Sequence, residues 1–168
     1  MKLFLCSASP RRSELLSSHN IKFEIIENKL KVEPLDHRLN PFDQVVNIAY
    51  LKTRYSYKTY KGLILGADTG IIFNNSLIGK PKDTNDALQI LSNLSNKSHL
   101  VVSACCIMDT INNTVDFCID YAKVSFKNTS TIELRKYIDK YQPFDKAGAY
   151  GIQDNPVFLE NVVGDLST

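Results

Sequence analysis

Apolar positions that recur every three or four residues predict four amphipathic helices in this chain. The predicted helices cover about 10–18, 41–60, 84–94 and 130–141. Pro10 and Pro41 stand at first helical positions, and Ser130 with Glu133 three residues later is typical of a capping box. Local side chains therefore support the helix starts that the periodicity indicates.

Short apolar runs between and after these helices predict strands. They cover about 2–6, 21–26, 63–69, 71–73, 77–78, 100–108, 115–126 and 157–163. Asn74-Asn75 and Asn112-Asn113 separate neighbouring runs and predict hairpin turns. Because strands alternate with helices early and form hairpins later, the pattern favours an α/β fold with a mixed, twisted sheet and flanking helices. The charged stretch 27–40 lacks periodicity and predicts a long loop, of a kind that is often functional.

Length and charge narrow the class of protein. A chain of 168 residues is expected to form one domain, of one lobe or two. Its formal net charge of +2 is too small to indicate nucleic-acid or membrane binding, and no apolar run is long enough to span a bilayer. Polar residues follow the first few apolar positions, which argues against a signal peptide. We expect a soluble, cytoplasmic protein.

The cysteines and glycines exclude several common sites. The four cysteines, at positions 6, 105, 106 and 118, lie in strand-like segments without C-x-x-C spacing, so we expect free buried thiols and neither disulfide nor zinc. The sequence contains no P-loop and no dinucleotide-binding glycine motif.

The stretch 7–12 (Ser-Ala-Ser-Pro-Arg-Arg) connects a predicted strand to a predicted helix. Ser9 is placed to cap that helix, so Arg11 and Arg12 fall in its first turn, where the helix dipole disfavours cations. A bound anion would resolve this conflict, because free backbone N–H groups and guanidinium groups together form a phosphate cradle. A solvated arginine pair is an equally good interpretation of this stretch alone.

Asp68 is the most conspicuous carboxylate because it ends an apolar strand-like run. Ligand sites in open α/β sheets lie at the carboxyl ends of strands, but aspartate also caps turns. Glu33 in the irregular loop could join Asp68 as a second carboxylate, although spacing alone favours a solvated residue. Lys80, between Gly79 and Pro81, is either an aimed cation or an exposed turn lysine.

Further candidate residues lie in helix 2 and near the C-terminus. Lys52 could extend from helix 2 towards the site, or serve only solubility. Lys146 and Gln153 flank a stretch rich in small residues, where Gly151 would permit close approach of a ligand. A Gln amide suits recognition of a base edge. The alternative is a tight structural loop in which Asp145 pairs with Lys146.

Together these residue types suit one kind of chemistry. Cations would hold a polyphosphate, and carboxylates would hold a divalent metal that makes a bound water more acidic. The sequence offers no candidate Ser–His or Cys–His pair, so nothing in it indicates a covalent intermediate. The set therefore suits hydrolysis of a nucleotide anhydride by positioning and electrostatics.

Four motifs in this order resemble the Maf family of nucleoside triphosphate pyrophosphatases. They are 7–12 followed by Leu15-Leu16, 66–69 (Gly-Ala-Asp-Thr), 79–81 (Gly-Lys-Pro) and 145–153, and the similarity runs from about residue 3 to the C-terminus. The resemblance implies an α/β fold with two lobes around a cleft, related to inosine triphosphate pyrophosphatases. It also implies cleavage of a nucleoside triphosphate to the monophosphate and pyrophosphate with a divalent cation, Mg²⁺ or Mn²⁺.

The resemblance also implies substrate choice and residue roles. Arg11 and Thr69 are similar to the branch that acts on dTTP and UTP, whereas the branch associated with 7-methyl-GTP carries Trp and Gln at those places. Asp68 would be the general base and a metal ligand. The remaining implied roles are substrate choice for Arg11, Thr69 and Gln153, and phosphate contacts for Ser7, Arg12 and Lys80 with Lys52 and Lys146 as helpers.

Two departures from the family pattern lead to further expectations. The family's acidic pair after the second strand is replaced here by Lys31-Val32-Glu33, so Glu33 fits as a tentative metal ligand only with a one-residue shift. The sequence stops at Thr168, before the family's Val-Gly-Leu-Pro segment and final helix. We expect exposed apolar surface there or its burial in a homodimer. These departures motivate an alternative function, a nucleotide-binding regulator of cell division with little turnover.

Overall fold

A computed structural model gives the fold and describes residues 1–30, 35–36 and 38–164. The strands are β1 (Leu3–Leu5), β2 (Glu24–Ile25), β3 (Leu63–Phe73), β4 (Ser76–Ile78), β5 (Ser98–Asp109), β6 (Thr114–Phe126) and β7 (Leu159–Val163). The helices are α1 (Pro10–Ser18), α2 (Pro41–Arg54), α3 (Thr84–Leu94) and α4 (Thr131–Tyr141). Three short 3-10 helices, Pro143–Asp145, Ala147–Ala149 and Ile152–Asp154, follow α4.

The described strands form one sheet in the order β2-β1-β3-β5-β6-β7, with β4 paired to β3 outside this path. Strand β1 is parallel to both β2 and β3, whereas β3–β4 and β6–β7 are antiparallel. The predicted α/β fold with a mixed sheet and flanking helices is therefore confirmed. The implied cleft stays a prediction.

Local capping explains where most helices begin. Asn40 Oδ1 accepts a hydrogen bond from the Asp43 amide at 3.0 Å, and Ser130 with Glu133 forms the predicted capping box. Ser9 occupies the N-cap of α1, but its side chain makes no capping bond, so the predicted role of that hydroxyl is wrong.

Three predicted boundaries are also wrong. Helix α2 ends at Arg54, earlier than expected, because residues 55–59 form turns. The predicted strand at 21–26 shrinks to Glu24–Ile25, which pair with β1. The runs 63–69 and 71–73 are one continuous strand, β3, since Gly70 does not interrupt its extended backbone.

The chain forms two compact units. The first unit comprises Met1–Asp68 and Ser103–Ile119. Its strand β1 pairs with Leu63, Ile64 and Leu65 of β3, and buried side chains of Phe4, Cys6, Ile26 and Ile64 form a core cluster. Helix α2 adds Val45, Ile48 and Ala49, each buried.

The second unit comprises Thr69–Val102 and Asp120–Thr168. Its core joins α3 and α4 to aromatic side chains from the strands and the C-terminal segment, with Phe126, Tyr150 and Phe158 in ring contact. No helix in the described part of the chain is long and apolar enough to cross a membrane.

Candidate active site

Asp68 lies inside a strand and not at its end, which corrects the sequence-based interpretation. The parallel pairing of β3 with β1 reaches Leu65, whose carbonyl also accepts a hydrogen bond from the Cys6 amide at 2.8 Å. Asp68 therefore follows the point where β1 ends, on a strand that itself continues to Phe73. Its side chain is buried, with 8% of the residue exposed. A carboxylate in this position needs a partner to remain charged.

Lys52 of α2 is that partner. Its Nζ donates to Asp68 Oδ1 at 2.5 Å, and the lysine is itself buried. The interpretation of Lys52 as a solvated residue is wrong. A pair of opposite charges removed from water in this way is held only by close geometry and further hydrogen bonds.

Gly66 explains how helix α2 comes close enough to make this pair. A Cβ at residue 66 would lie 2.8 Å from Thr53 Cγ2 and 2.9 Å from the Ala49 carbonyl oxygen. Real Cβ atoms do not approach other atoms so closely, so only glycine permits this contact between helix and strand. The motif 66–69 thus supplies both the carboxylate and the space for the helix that carries its counter-ion.

The N-terminal motif fixes Arg12 beside the same strand. Arg12 Nη1 donates to Ser7 Oγ at 3.2 Å and to the Ala67 carbonyl oxygen at 2.8 Å. Ser7 is buried, and its Oγ also accepts from the Ser9 amide at 3.2 Å. Arg11, on the same turn of α1, is exposed. The two arginines therefore differ: Arg12 is held against the peptide that precedes Asp68, and Arg11 faces solvent.

The predicted site residues of the second unit include Thr69 and Lys80. Thr69 is partly buried on β3, and Lys80 is exposed directly after β4. The Gly79 carbonyl accepts a hydrogen bond from the Gly148 amide at 3.0 Å. Gly148 has a φ of 68°, and a Cβ there would lie 2.2 Å from Ile71 Cδ1. Backbone contacts thus fix the segment that presents Lys80.

Lys146 pairs with Asp145, as expected if this stretch is a tight structural loop. Its Nζ lies 3.1 Å from Asp145 Oδ1 and 4.0 Å from Asp154 Oδ2. A Cβ at Gly151 would lie 2.9 Å from Asp154 Oδ2 and 3.0 Å from Lys146 Cε, so this glycine makes room for the ion pair. The predicted close approach of a ligand at Gly151 stays a prediction. Gln153 is exposed in the following 3-10 helix.

Tyr137 completes this cluster. Its hydroxyl donates to Asp154 Oδ2 at 2.7 Å and accepts from the Gly151 amide at 3.1 Å. Burial, together with the hydrogen bond to Asp154, raises the pKa of Tyr137 above its ordinary value, so the group stays a neutral phenol. No pattern in the sequence distinguishes Tyr137 from the other seven tyrosines.

The structure thus gathers the predicted residues in two groups. Ser7, Arg12, Lys52 and Asp68 come together in the first unit, and Thr69, Lys80, Lys146 and Gln153 belong to the second. Glu33 lies outside the described residues. The Lys52–Asp68 ion pair and the requirement for Gly66 were not foreseen, because residues 52 and 68 are linked only by the packing of α2 on β3.

A metal at this place would meet the carboxylate of Asp68. Within 1–30, 35–36 and 38–164, no group of three or more His, Cys, Asp or Glu side chains could hold a metal ion. Mg²⁺ commonly keeps several waters and binds through one or two carboxylates together with substrate phosphates. The carboxylate of Asp68 fits that mode, and the described residues form no cage of three or more such ligands.

A family model described as "Maf-like protein" matches residues 2–168. The chain is 36% identical over 166 residues to a dTTP/UTP pyrophosphatase from Dictyoglomus turgidum, covering 98% of this chain and 86% of that protein. It is 36% identical over 173 residues to a dTTP/UTP pyrophosphatase from Aquifex aeolicus, covering 100% and 87%.

Among solved structures, the fold is similar to that of a HAM1 protein from Coxiella burnetii. The TM-score is 0.55 at 16% sequence identity, with 94% of this chain and 91% of that chain covered. At this identity the likeness concerns the fold alone.

Proposed function

The chain belongs to the Maf-like protein family, and from this premise we propose that it is a nucleoside triphosphate pyrophosphatase that hydrolyses dTTP and UTP. The products are the nucleoside monophosphate and pyrophosphate. The observation that carries the proposal is the buried carboxylate of Asp68, held at 2.5 Å by Lys52 and joined through the Ala67 peptide to the guanidinium of Arg12.

Asp68 acts as the general base in this proposal. Its carboxylate orients a water and accepts a proton as the water oxygen attacks the α-phosphorus. The bond from the α-phosphorus to the bridging oxygen breaks, and pyrophosphate leaves. The adjacent Lys52 ammonium favours the ionised carboxylate, which is the form that can accept the proton. Because the lysine and the carboxylate are both buried, their positions are fixed before the substrate binds.

The cations hold the phosphates. Arg12 has a planar guanidinium suited to phosphate, and its bonds to Ser7 and Ala67 fix its orientation at the start of α1. We assign Lys80 to the phosphates as well, with Lys146 as a helper, and substrate choice to Arg11, Thr69 and Gln153. The sequence similarity to proteins named dTTP/UTP pyrophosphatase supports the choice of pyrimidine substrates.

A divalent cation, Mg²⁺ or Mn²⁺, is proposed to accompany the triphosphate, with Asp68 as its protein ligand. When bound, it would neutralise phosphate charge and make a bound water more acidic. Glu33 is proposed as a second ligand on sequence grounds alone.

The proposal is tested by a substrate panel in ¹⁸O-labelled water. We expect release of pyrophosphate with dTTP and UTP in preference to other nucleoside triphosphates, with the label in the monophosphate. Label in pyrophosphate would place the attack on another phosphorus and overturn the mechanism. Tight nucleotide binding without turnover would favour the nucleotide-binding regulator.

The variant Asp68→Asn tests the general base. We expect a loss of turnover by a factor of about 10² or more, because proton transfer by a positioned group commonly contributes about 10²–10⁴. Asp109→Asn is the matched control. Asp109 is as buried as Asp68, but its carboxylate accepts hydrogen bonds from the Ile111 and Asn112 amides in the β5–β6 turn. Full activity of Asp68→Asn would contradict the assignment.

A further inference from the structure

Two cysteines in the first unit, Cys105 on β5 and Cys118 on β6, are not used by the proposed chemistry. Neither is part of a disulfide; Cys105 is partly buried, and Cys118 is exposed, which corrects the expectation that all four thiols are buried. The other two cysteines are buried in polar contacts of their own, since Cys6 Sγ lies 3.2 Å from the Lys52 carbonyl oxygen and Cys106 Sγ lies 3.3 Å from Thr53 Oγ1.

The register of the β5–β6 pair brings Cys105 and Cys118 opposite each other. The two strands are neighbours in the sheet, and the turn 110–113 joins the last residue of β5, Asp109, to the first residue of β6, Thr114. Counting four residues back along β5 and four forward along β6 pairs residue 105 with residue 118.

The far end of the hairpin gives the same register. Ser98 Oγ lies 2.8 Å from Ser125 Oγ, and the Phe126 amide donates to the Lys97 carbonyl at 2.9 Å. Counting seven residues inward from Ser98 and from Ser125 again pairs residue 105 with residue 118. Both ends of the hairpin give the same register, so neither β5 nor β6 carries an extra residue relative to the other between these ends.

Directly opposite residues of an antiparallel pair point to the same face of the sheet, with Cα atoms about 4.5–5.5 Å apart. This separation lies within the range of about 4.4–6.8 Å that disulfides require. The electrostatics agree with the register. Burial raises the pKa of the Cys105 thiol, Cys118 raises it further, and Arg12 lowers it. Cys106 is next to Cys105 in sequence but points to the opposite face.

We propose that Cys105 and Cys118 are a thiol modification site at which a low-molecular-weight disulfide forms a reversible cross-strand bridge. The exposed Cys118 thiolate attacks one sulfur of oxidised glutathione, whose S–S bond breaks and releases one glutathione. The Cys105 thiolate then attacks the Cys118 sulfur of the mixed disulfide and releases the second glutathione. The protein loses two hydrogens, and the two released glutathione molecules gain them.

The bridge is expected to be readily reduced. Opposite Cβ atoms in a sheet lie about 4.5–5.5 Å apart, and a disulfide brings them to about 3.8 Å, so the strands must move together. Strained or exposed disulfides are the labile ones. The first attack occurs at Cys118 because that thiol is the exposed one.

The test uses the full chain treated with oxidised glutathione, followed by alkylation of the remaining thiols. Before alkylation, we expect an intact mass lower by two hydrogens than that of the reduced protein and a monomer on non-reducing electrophoresis. After alkylation under denaturing conditions, the bridged protein should carry two alkyl groups fewer than the reduced protein. Met108 lies between the two cysteines, so cleavage at methionine should give fragments that stay joined until a reductant is added.

Matched serine variants locate the bridge. Cys118→Ser and Cys105→Ser should lose the two-hydrogen mass change entirely, whereas Cys106→Ser should form the bridge as the wild type does. Circular dichroism checks that each variant folds, and differential labelling of wild type locates the bridge without any variant. In the wild type, a lasting glutathione adduct at Cys118, a bridge to Cys106, or a covalent dimer would each overturn the proposal, whereas Cys105→Ser should retain the adduct at Cys118. None of these readouts depends on the proposed enzymatic activity.

Discussion

The Nζ of Lys52 lies 2.5 Å from Oδ1 of Asp68, and helix α2 and strand β3 bury both side chains. Such a pair adds little net stability, because desolvation offsets most of the attraction between the charges. Loss of one partner alone is costly, since the other charge is then left buried and unpaired. Substitution of either residue alone is therefore expected to destabilise the protein.

Lys52→Met should lower the free energy of unfolding by roughly 3 kcal/mol, because it removes the ammonium that forms an ion pair with the buried Asp68 carboxylate. Lys52→Met/Asp68→Asn should be less destabilised than the sum of the two single variants. Urea unfolding at neutral pH measures this double-mutant cycle. Lys2→Met is the control, since the Lys2–Glu24 pair has side chains 55% and 56% exposed and should contribute less than about 1 kcal/mol. Additive effects at residues 52 and 68 would contradict the coupling.

Gly66→Ala should destabilise the protein by about 1–3 kcal/mol, the range for overpacking a close contact. The added methyl group would meet Thr53 Cγ2 and the Ala49 carbonyl oxygen, so it should push α2 away from β3 and separate Lys52 from Asp68. Gly79→Ala is a matched control, because a Cβ there meets no atom within 4 Å. Urea unfolding of both variants gives the comparison, and equal effects would show that the close contact at Gly66 is unimportant.

Arg12→Lys should raise the KM for dTTP by about tenfold or more, which corresponds to about 1.4 kcal/mol. A lysine keeps the charge but lacks the planar group that bonds both Ser7 and the Ala67 carbonyl. Arg54→Lys, at an exposed position on α2, should leave KM unchanged. Steady-state pyrophosphate release measures both variants. If the two behave alike, Arg12 does not hold the substrate.

Chelation should stop turnover without unfolding the protein. The described residues offer no group of three or more metal ligands, so we expect the divalent cation to arrive with the nucleotide and to add nothing to the stability of the free protein. EDTA should therefore abolish pyrophosphate release and leave the Tm unchanged, and added Mg²⁺ or Mn²⁺ should restore activity. A large fall in Tm would indicate a structural metal.

Acid should weaken the fold through His99. Burial lowers the pKa of His99 from 6.5 to about 4. The ring packs against Phe126 and Tyr150, and Nε2 shares a 2.6 Å hydrogen bond with the Tyr150 hydroxyl. Below pH 6.5 the imidazole is protonated in the unfolded chain but stays neutral in the folded state. The free energy of unfolding therefore decreases as the pH is lowered, until the ring is also protonated in the folded state near pH 4.

This difference in pKa amounts to ~3 kcal/mol at most. His99→Gln keeps a hydrogen-bonding group but does not titrate, so its stability should change less between pH 7 and about pH 4.5 than that of the wild type. Urea unfolding at the two pH values tests this. Parallel losses in both proteins would assign the acid sensitivity to other groups.

Helix caps and hairpin turns could be predicted from the sequence pattern alone. Asn40 and Ser130 cap helices through bonds to residues three positions away, and Asn74 and Asn113 turn hairpins with φ of 48° and 58°. Such interactions are complete within a few residues, so a linear pattern contains them. The ordered motifs likewise identified the family, and with it the expected substrate.

The contacts of Arg12 and Asp68, which belong to the motifs 7–12 and 66–69, follow from tertiary packing and not from the sequence pattern. The positions of Arg11 and Arg12 in the sequence do not show whether the two are equivalent surface cations. They differ because packing places Arg12 within hydrogen-bond distance of Ser7 and the Ala67 carbonyl. Asp68 proved to be internal to β3, with a counter-ion 16 residues away that only the contact of α2 at Gly66 could supply. Burial and distance between remote residues arise from three-dimensional packing, and one-dimensional spacing does not encode them.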